Sequence, residues 1–281
     1  MKKKVMGYIF CDKKLGKDEL AFLKQAKKKN IELILFNTEE NLSEKKIKER
    51  AKPCKIFFNN SAEEIAIELT KTLEELGKKV IEPSKVYFYI EDKWMFYLKC
   101  KESKIPVPET ILLSENEKSI ELELKKFNKW PVILKTIEGT IGQFVEKADN
   151  PKQAISIIKR FWKKASERVP IIAQEFILSP SYRATIINKE IVQTAIKQSK
   201  RWKSTGVYEK KFKQFKPDKQ LEIIVKKLSK ATNMKIFGLD LLKKDNQWLA
   251  LEINAEPGLD FFQNQRDELI SKILDFLKKQ I

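Results

Sequence analysis

Strand-like and helix-like segments alternate over the N-terminal part of this chain, and this order constrains the fold more than any other feature. Four short apolar runs predict strands, namely Val5–Phe10, Ile31–Phe36, Lys55–Phe58 and Lys78–Ile81. Between them, apolar residues at helical spacing predict helices over Lys17–Lys29 and Ala62–Leu76. Strands that are joined through helices lie parallel in one sheet, which the helices cover. Because no GxGxxG follows the first strand, a dinucleotide site is not expected here.

The alternation stops at Pro83, which indicates a second unit of different architecture. Asp92 is a favoured N-cap residue and predicts a helix over Lys93–Ser103. Three apolar runs separated by turn residues predict an antiparallel meander. These runs are Val169–Ile177, Tyr182–Ile187 and Glu190–Lys197. Further helices are predicted over Pro151–Ala165, Pro217–Thr232 and Gln265–Ile281. The second of these would start at its proline, Pro217.

The composition narrows the possible chemistry. With 57 Lys and Arg residues against 39 Asp and Glu residues, the net charge is +18. This charge favours nucleic acid, acidic peptides, nucleotides or anionic surfaces as partners, or it reflects only a lysine-rich proteome. The chain has no histidine, which excludes Ser-His-Asp and Cys-His catalysis and every His-ligated zinc site. Three distant cysteines predict reduced thiols in a cytoplasmic protein. No apolar stretch approaches the ~20 residues that span a bilayer, so no membrane partner is expected.

Three oxygen-bearing side chains interrupt two apolar strands near the C-terminus. Asp240 lies in the first strand, and Glu252 and Asn254 lie two residues apart in the second, so the latter two point to the same face. A carboxylate within an apolar run is costly unless it has a partner, and oxygen ligands suit Mg²⁺. The alternative is that all three simply face solvent on a half-exposed sheet. The apolar neighbours on both strands favour the metal.

A lysine and a glycine-containing turn form a second candidate element. The apolar strand Trp130–Thr136 delivers Lys135, and the turn Glu138-Gly139-Thr140-Ile141-Gly142 follows. Glycines let backbone N–H groups approach phosphate oxygens, and the lysine supplies a charge to the same oxygens. Taken alone, the turn is more often an ordinary hairpin, and it is not a P-loop because no Gly-Lys-Ser/Thr follows.

The strand that ends in Gln174-Glu175-Phe176-Ile177 is a third candidate element. Its backbone groups could read the edge of an adenine while Glu175 meets a ribose hydroxyl. The competing interpretation is a core strand with one exposed glutamate.

Together these elements resemble, in order and spacing, the ATP-grasp superfamily, and within it the RimK-like ligases that add glutamate to a ribosomal protein or related acceptors. The resemblance covers roughly residues 80–262. It rests on Asp92-Lys93, Ile105-Pro-Val-Pro-Glu-Thr110, Val132–Gly142, Gln174–Ile177, Tyr182-Arg183 and Asp240 with Glu252–Gly258. It implies an α/β fold that is α+β in the C-terminal part. A pre-ATP-grasp domain with a parallel sheet would occupy residues 1–85. The ATP-grasp domain would occupy 86–281, with a lid subdomain at about 115–178.

The resemblance also implies a reaction. ATP would lie between two antiparallel sheets, a carboxylate would attack its γ-phosphate, and an amine would displace phosphate from the acyl phosphate to form an amide. The implied product is an amino acid such as glutamate joined to a peptide, protein or small-molecule acceptor. An acidic peptide or protein tail would be a fitting partner, and the active form would be a homo-oligomer.

Residue roles follow from the resemblance by position. Lys135 would bind the α- and β-phosphates, with Lys93 or Lys99 assisting. The loop over the phosphates would contain Glu138, Gly139, Thr140 and Gly142. The adenine and ribose hinge would comprise Gln174, Glu175, Phe176 and Ile177. Arg183 and Lys203 would act on the substrate side. Two Mg²⁺ ions, or Mn²⁺ in their place, would be held by Asp240, Glu252 and Asn254.

The chain departs from the RimK-like pattern mainly on the substrate side. Phe144 replaces a loop glycine, and Ser181 replaces an acidic residue. Lys203-Ser204-Thr205 stands where Arg-Ser-Asn is usual, and the Gly-Gly pair that normally follows is absent. These changes predict an altered substrate, with a degenerate binding module as the alternative.

The segment 195–216 combines basic and aromatic residues. It has eight Lys and Arg residues and one acid, Glu209, and four aromatic residues are interleaved. Such a segment can bind single-stranded nucleic acid, or equally an acidic peptide tail. A solvated lysine-rich loop is the third interpretation.

Overall fold

The computed structural model describes residues 3–40, 42–139, 143–165, 168–197 and 211–281, and its N-terminal part is a parallel sheet. The strand order of this N-terminal sheet is β2-β1-β3-β4. Its elements are β1 (Lys4–Phe10), α1 (Lys17–Lys28), β2 (Ile31–Asn37), α2 (Glu44–Ala51), β3 (Ile56–Asn59), α3 (Glu64–Glu75) and β4 (Val80–Ile81). The predicted parallel sheet is confirmed. Helix α2 was not predicted, because it buries only Ile47 and Ala51 and therefore shows little apolar periodicity.

A second, four-stranded sheet is antiparallel throughout, in the order β5-β8-β6-β7, and is called the small sheet. A 3₁₀ turn (Ser84–Val86) and two helices precede it, α4 (Phe88–Glu91) and α5 (Lys93–Glu102). The other elements are β5 (Thr110–Leu112), α6 (Glu117–Phe127), β6 (Val132–Thr136), β7 (Val145–Ala148), α7 (Pro151–Lys164) and β8 (Ile171–Glu175). Asp92 caps α5 as predicted, because its Oδ1 accepts hydrogen bonds from the N–H groups of Trp94 and Met95.

The predicted three-stranded meander is wrong in its first member. Strand β8 lies between β5 and β6 in the small sheet, and only the two following strands pair with each other. The five-residue link 176–180 ends at Pro180 and carries the chain from one sheet to the other. A link of this length suits a hairpin equally well, so the sequence spacing could not distinguish the two connections.

The third sheet, called the large sheet, has five antiparallel strands in the order β11-β10-β9-β12-β13. Its elements are β9 (Ser181–Ile187), β10 (Glu190–Lys197), β11 (Phe212–Lys213), α8 (Lys219–Thr232), β12 (Ile236–Lys244), β13 (Gln247–Asn254), a 3₁₀ turn (Gln263–Gln265) and α9 (Arg266–Lys278). Helix α8 begins two residues after Pro217, because the side chain of Asp218 accepts a hydrogen bond from Leu221 N at 2.9 Å and caps it. Helices α5 and α8 share an apolar core with the large sheet.

The two ends of the chain share one core. The apolar face of α9, which includes Leu269 and Ile273, packs with residues of β1 and α1. The Glu82 carboxylate, just after β4, accepts hydrogen bonds from the N–H groups of Lys235 at 2.9 Å and Ile236 at 2.6 Å. The N-terminal sheet is therefore anchored to the start of β12. Within the described ranges, no helix is both long and apolar enough to cross a membrane.

Candidate functional site

The three predicted metal ligands lie on one face of the large sheet. Asp240 is directly opposite Glu252 on β13 and opposite Arg183 on β9, and Asn254 is opposite Gly238. Residues paired across antiparallel strands present their side chains on the same face, so these groups converge. A β-bulge follows Asp240 in the pairing with β13, and bulges are common beside functional sites.

Asp240 is buried among cations. Its Oδ2 accepts hydrogen bonds from Arg183 Nη1 at 2.8 Å and from Asn254 Nδ2 at 3.3 Å, while Lys197 Nζ lies 3.8 Å from Oδ1. Burial alone would raise the pKa of Asp240, but Arg183 and Lys197 outweigh it and hold the pKa below its usual value. The carboxylate is therefore ionised over the physiological range.

The donor set around Asp240 fits a hard divalent cation. Asp240 Oδ1 is buried and accepts no hydrogen bond, and such an orphaned carboxylate oxygen is suited to a metal ion. Glu252 offers a second carboxylate and Asn254 an amide, and oxygen donors of this kind suit Mg²⁺. Among the described residues, no three acidic or cysteine side chains cluster as metal ligands. An ion at this position would therefore depend on two carboxylates and an amide.

Lys135 faces the large sheet from the small sheet. It is buried on β6, and its Nζ donates a 2.9 Å hydrogen bond to Oε1 of Gln174 on β8. The amide nitrogen of Gln174 in turn donates to Thr110 Oγ1 at 3.0 Å, which fixes the orientation of the amide. Burial lowers the pKa of Lys135 to about 8, although Glu252 opposes the shift. Lys135 and Gln174 line a cavity between the two sheets, together with residues of α5 and β13.

Lys93 holds the start of the predicted phosphate loop. Its Nζ donates hydrogen bonds to the carbonyls of Ile137 at 3.3 Å and Gly139 at 2.9 Å. Burial lowers the pKa of Lys93, while Glu252 and Glu138 oppose the shift, so the lysine lies within electrostatic reach of the metal ligands. Gly139 has φ +121°, a backbone conformation that favours glycine.

One predicted residue, Lys99, is not brought to this site. Lys99 points elsewhere, and its ammonium pairs with Glu102 at 2.8 Å on the same helix. Lys93 and Lys99 are six residues apart, about one and two-thirds helical turns, so they cannot share a face of α5. Thr140, Gly142 and Lys203 lie outside the described residues.

The predicted adenine hinge has a defined geometry. The carboxylate of Glu175 accepts a hydrogen bond from Glu109 N at 3.0 Å and pairs with Lys244 at 2.7 Å. Both of its oxygens thus have protein partners, so a contact with ribose would have to displace or share one. Phe176 N donates a hydrogen bond to Pro131 O at 3.2 Å. The ring of Phe176 lies under Lys147 Nζ, and the side chain of Ile177 is buried.

Two further residues border the site, Gly238 and Lys197, although no sequence pattern predicted a role there for either. A Cβ built on Gly238 would lie 2.2 Å from Arg183 Nη2, so the glycine makes room for the guanidinium. A glycine inside an apolar strand is a recognised signal of such close approach. Lys197 belongs to the basic segment and ends β10, as the predicted strand Glu190–Lys197 does, and its side chain is buried against Asp240.

The described aromatic residues of segment 195–216 are half-buried against other aromatic rings. Phe215 stacks on Trp248 with ring centroids 5.4 Å apart, and it contacts Tyr182 edge-on. Phe212 contacts Phe261 edge-on at 4.9 Å. These two rings are therefore occupied, and the described part of the segment gives no support to base stacking. Trp202 and Tyr208 lie outside the described residues.

Comparisons with known proteins agree with this geometry. The sequence pattern of the RimK-like ATP-grasp domain matches residues 90–277. A protein of Haemophilus influenzae named probable alpha-L-glutamate ligase is 25% identical over 230 residues, which cover 79% of this chain and 74% of that protein. A Legionella pneumophila (strain Corby) protein of the same name is 25% identical over 214 residues, which cover 74% of this chain and 70% of that protein.

Solved structures show the same fold. A RimK domain ATP-grasp protein from Sphaerobacter thermophilus superposes with a TM-score of 0.75 at 16% identity, over 97% of this chain and 98% of that one. The D-alanine–D-alanine ligase of Bacillus anthracis complexed with ATP gives a TM-score of 0.72 at 16% identity, over 98% and 96%. The predicted ATP-grasp fold is therefore confirmed.

Proposed function

The chain belongs to the RimK-like ATP-grasp family, and we propose that it is an ATP- and Mg²⁺-dependent carboxylate–amine ligase that forms an amide through an acyl phosphate. One observation carries the proposal. The intact set of Asp240, Glu252 and Asn254 lies on one sheet, while the buried Lys135 faces it from the other. This arrangement has the charges that a triphosphate and its cation require.

The charge balance of the site supports phosphate binding. Four cations, Lys93, Lys135, Arg183 and Lys197, surround the two carboxylates Asp240 and Glu252. The excess positive charge is largely buried, and a low dielectric strengthens its attraction for anions. Preorganised charge of this kind stabilises the charge that develops during phosphoryl transfer.

Each group has a role in the proposed reaction. Lys135 and Lys93 would hold phosphate oxygens. The hydrogen bonds from Lys93 would keep the segment Ile137–Gly139 beside those phosphates. Asp240, Glu252 and Asn254 would hold Mg²⁺, which when bound neutralises phosphate charge. Arg183 and Lys197, on the far side of Asp240, would face the acyl phosphate. The Arg183 guanidinium is fixed by Asp240 and by the Glu256 carbonyl at 2.9 Å.

The proposed chemistry balances in two steps. A carboxylate oxygen bonds to the γ-phosphorus and the bond to ADP breaks, giving an acyl phosphate. An amine nitrogen then bonds to the carbonyl carbon, and phosphate leaves with the former carboxylate oxygen. The ammonium group loses two protons in forming the amide. Because relatives of this chain are named glutamate ligases, the proposed amino acid is glutamate. The proposed acceptor is a peptide, protein or small molecule.

Incubation with ATP, Mg²⁺ and an amino-acid mixture tests the proposal. We expect release of ADP and phosphate, and amide products that mass spectrometry resolves as repeated amino-acid increments. Glu252→Gln should abolish turnover, while Glu190→Gln, an exposed carboxylate at the start of β10, should leave it unchanged. Nucleotide binding without turnover in the wild type would instead indicate a binding module. No nucleotide binding at millimolar ATP would refute both.

A further inference from the structure

Lysines are concentrated at one edge of the N-terminal sheet, the edge where its strands begin. Lys4 is the first residue of β1, Lys55 directly precedes β3, and Lys79 directly precedes β4. Lys29 lies two residues before β2. Because the strands of a parallel sheet all begin at the same edge, the topology collects these four lysines in one row.

The helices that cover the sheet end at the same edge and add further lysines. Helix α1 ends at Lys28, and α9 runs beside it in the same direction and ends at Lys278. On the opposite face of the sheet, Lys52 is the C-cap of α2. Eleven lysines at these strand starts and helix ends define the surface that we call the amino edge: Lys3, Lys4, Lys27, Lys28, Lys29, Lys52, Lys55, Lys78, Lys79, Lys278 and Lys279.

Direct contacts join these lysines into one continuous surface. Lys4 Nζ donates a hydrogen bond to the carbonyl of Lys278 at 2.7 Å, which ties the start of β1 to the end of α9. Lys79 Nζ donates at 3.2 Å to the second carbonyl after α9. Lys78 Nζ donates to the carbonyl of Lys52 at 3.3 Å, which ties the start of β4 to the end of α2. The amino edge therefore extends without a break from α9 to α2.

Most of the charge of the amino edge is not neutralised. Two of its lysines form ion pairs within the described part of the chain, Lys3 with Glu32 at 3.5 Å and Lys29 with Asp275 at 2.6 Å. Carbonyl partners satisfy hydrogen bonds of the other lysines but leave their charge in place. Even with Glu75, the last residue of α3, the edge keeps a large positive excess.

Two general causes of lysine enrichment do not account for this pattern. Basic residues at helix C-termini interact favourably with the helix dipole, but strands have only small net dipoles, so this effect does not explain Lys55 and Lys79. A lysine-rich composition would make every surface basic, yet five carboxylates and two cations line the cleft at the opposite edge of the same sheet. The charge of the amino edge is therefore a local property.

The size and charge of the amino edge fit the backbone of a nucleic acid duplex. Adjacent strands lie about 4.8 Å apart, so the row of lysines across the four strands of the N-terminal sheet is about 14 Å long. Helix ends on both faces widen the surface by about 10 Å on each side. A duplex carries one phosphate charge per ~1.7 Å of its axis, so about 14 Å of duplex carries about eight charges. The lysines are numerous enough to contact the phosphates that face them.

Other polyanions fit the amino edge less well. Single strands are held by base stacking, but the one exposed aromatic ring in the described part of the chain is Phe88, in α4. Binding to a membrane surface relies on buried apolar area, and Ile281 is the exposed large apolar side chain that the structure describes after α9. A flexible acidic peptide would lose conformational entropy on so wide a surface, whereas a duplex is already rigid.

We propose that the amino edge is a binding surface for duplex nucleic acid, which it contacts through phosphates. Lysine ammonium groups act as point charges toward phosphates, and such contacts position a duplex without reading its sequence. The proposal is independent of the proposed ligase function, because the lysines that line the cavity of the candidate site are Lys93 and Lys135. It also gives a function to part of the net charge of +18.

Two variants of equal net charge test the proposal. The edge variant replaces four exposed lysines of the amino edge by glutamine: Lys27, Lys52, Lys55 and Lys279. The control variant replaces four exposed lysines of α6 and α7 by glutamine: Lys118, Lys125, Lys126 and Lys152. Any difference between the two variants therefore reflects the position of the lysines and not the net charge. Exposed side chains rarely affect folding, and circular dichroism with urea unfolding would confirm that both variants fold as the wild type does.

The salt dependence of duplex binding is the measurement. Fluorescence anisotropy of a labelled DNA duplex of about 20 base pairs gives the association constant between about 50 and 200 mM NaCl, and its logarithm falls by about 0.9 per phosphate contact for each unit of log salt concentration. Loss of four contacts should reduce this slope by about 3.6, so the advantage of the wild type over the edge variant should shrink about 150-fold across that range. The control variant should keep the wild-type slope.

Other outcomes would overturn the proposal. These are no binding of the wild type to the duplex at about 50 mM NaCl, a wild-type slope in the edge variant, or an equal reduction of the slope in the control variant. A parallel titration with an RNA duplex distinguishes the two sources of a phosphate backbone, and a reduced slope in the edge variant with either duplex supports the proposal. Vesicles of equal parts phosphatidylcholine and phosphatidylserine, and poly-glutamate, are the competing polyanions. If the edge variant loses affinity for one of these and keeps its affinity for both duplexes, the proposal is refuted.

Discussion

Replacing Gly238 by alanine should disable the candidate site by displacing one guanidinium. The added Cβ would lie 2.2 Å from Arg183 Nη2 and 2.4 Å from both Cζ and Nε. Carbon and nitrogen atoms in contact need about 3.5 Å, so the guanidinium would have to move by more than 1 Å. Arg183 is itself buried and fixed by Asp240 and the Glu256 carbonyl, so it cannot move without losing these contacts.

The size of the effect follows from those contacts. A hydrogen bond to a charged group contributes about 1.5–3 kcal/mol, and breaking a buried ion pair costs about 3–5 kcal/mol. We therefore expect Gly238→Ala to destabilise the fold by about 3 kcal/mol. A similar loss of transition-state stabilisation would lower kcat about a hundredfold. Urea unfolding and a coupled ADP-release assay measure the two quantities.

A matched control separates this effect from general strain. A Cβ on Gly7 in β1 would lie 2.1 Å from the Phe57 ring, an equally severe clash away from the site. Gly7→Ala should lower stability and leave the kcat of the folded protein unchanged. A double-mutant cycle isolates the cause, since Gly238→Ala should have little further effect on kcat when Arg183 is already alanine. Wild-type kcat in Gly238→Ala, or full additivity with Arg183→Ala, would refute the reasoning.

Three further predictions concern buried charges. Burial raises the pKa of Glu82 from 4.5 to about 7, so the folded protein favours the protonated acid. The free energy of unfolding should therefore fall by about 3 kcal/mol as the pH rises through this window. Glu82→Gln should flatten that fall, which urea unfolding at pH 5 and pH 8 would measure. Because the pKa of Lys135 is about 8, ATP affinity measured by calorimetry should fall as pH rises above that value, and Lys135→Arg should move the fall to higher pH. Lys197→Met should lower kcat about a hundredfold with little change in the Kd for ATP, and an unchanged kcat would exclude its substrate-side role.

The sequence predicted that two of the candidate metal ligands share one face, because strand periodicity is simple. Glu252 and Asn254 are two residues apart, which fixes their common face whatever the neighbouring strands do. The pairing of Asp240 with Glu252 depends instead on the β-bulge after Asp240, because the register between the bulge and the turn would pair Asp240 with Leu251. The N-cap Asp92 was equally predictable, because capping depends on local backbone groups.

Features that depend on tertiary packing could not be predicted in this way. Position in the family pattern leaves Lys93 and Lys99 as alternatives, whereas the rotation of α5 brings Lys93 to the predicted phosphate loop and pairs Lys99 with Glu102. Lys197 ends a predicted strand, but its burial beside Asp240 depends on the register of β10 with β9, which no local pattern gives. The hydrogen bonds from Lys235 N and Ile236 N to Glu82 likewise join parts of the chain that are far apart in sequence.

The fate of one oxygen atom distinguishes acyl-phosphate chemistry from other routes to an amide. Wild-type protein would be incubated with ATP, Mg²⁺ and an amino-acid mixture labelled with oxygen-18 in its carboxylates, and the released phosphate would be analysed by mass spectrometry. An acyl-phosphate ligase transfers one carboxylate oxygen to phosphate, so the phosphate should carry the label in step with amide formation. Amide formation with unlabelled phosphate would exclude an acyl-phosphate intermediate.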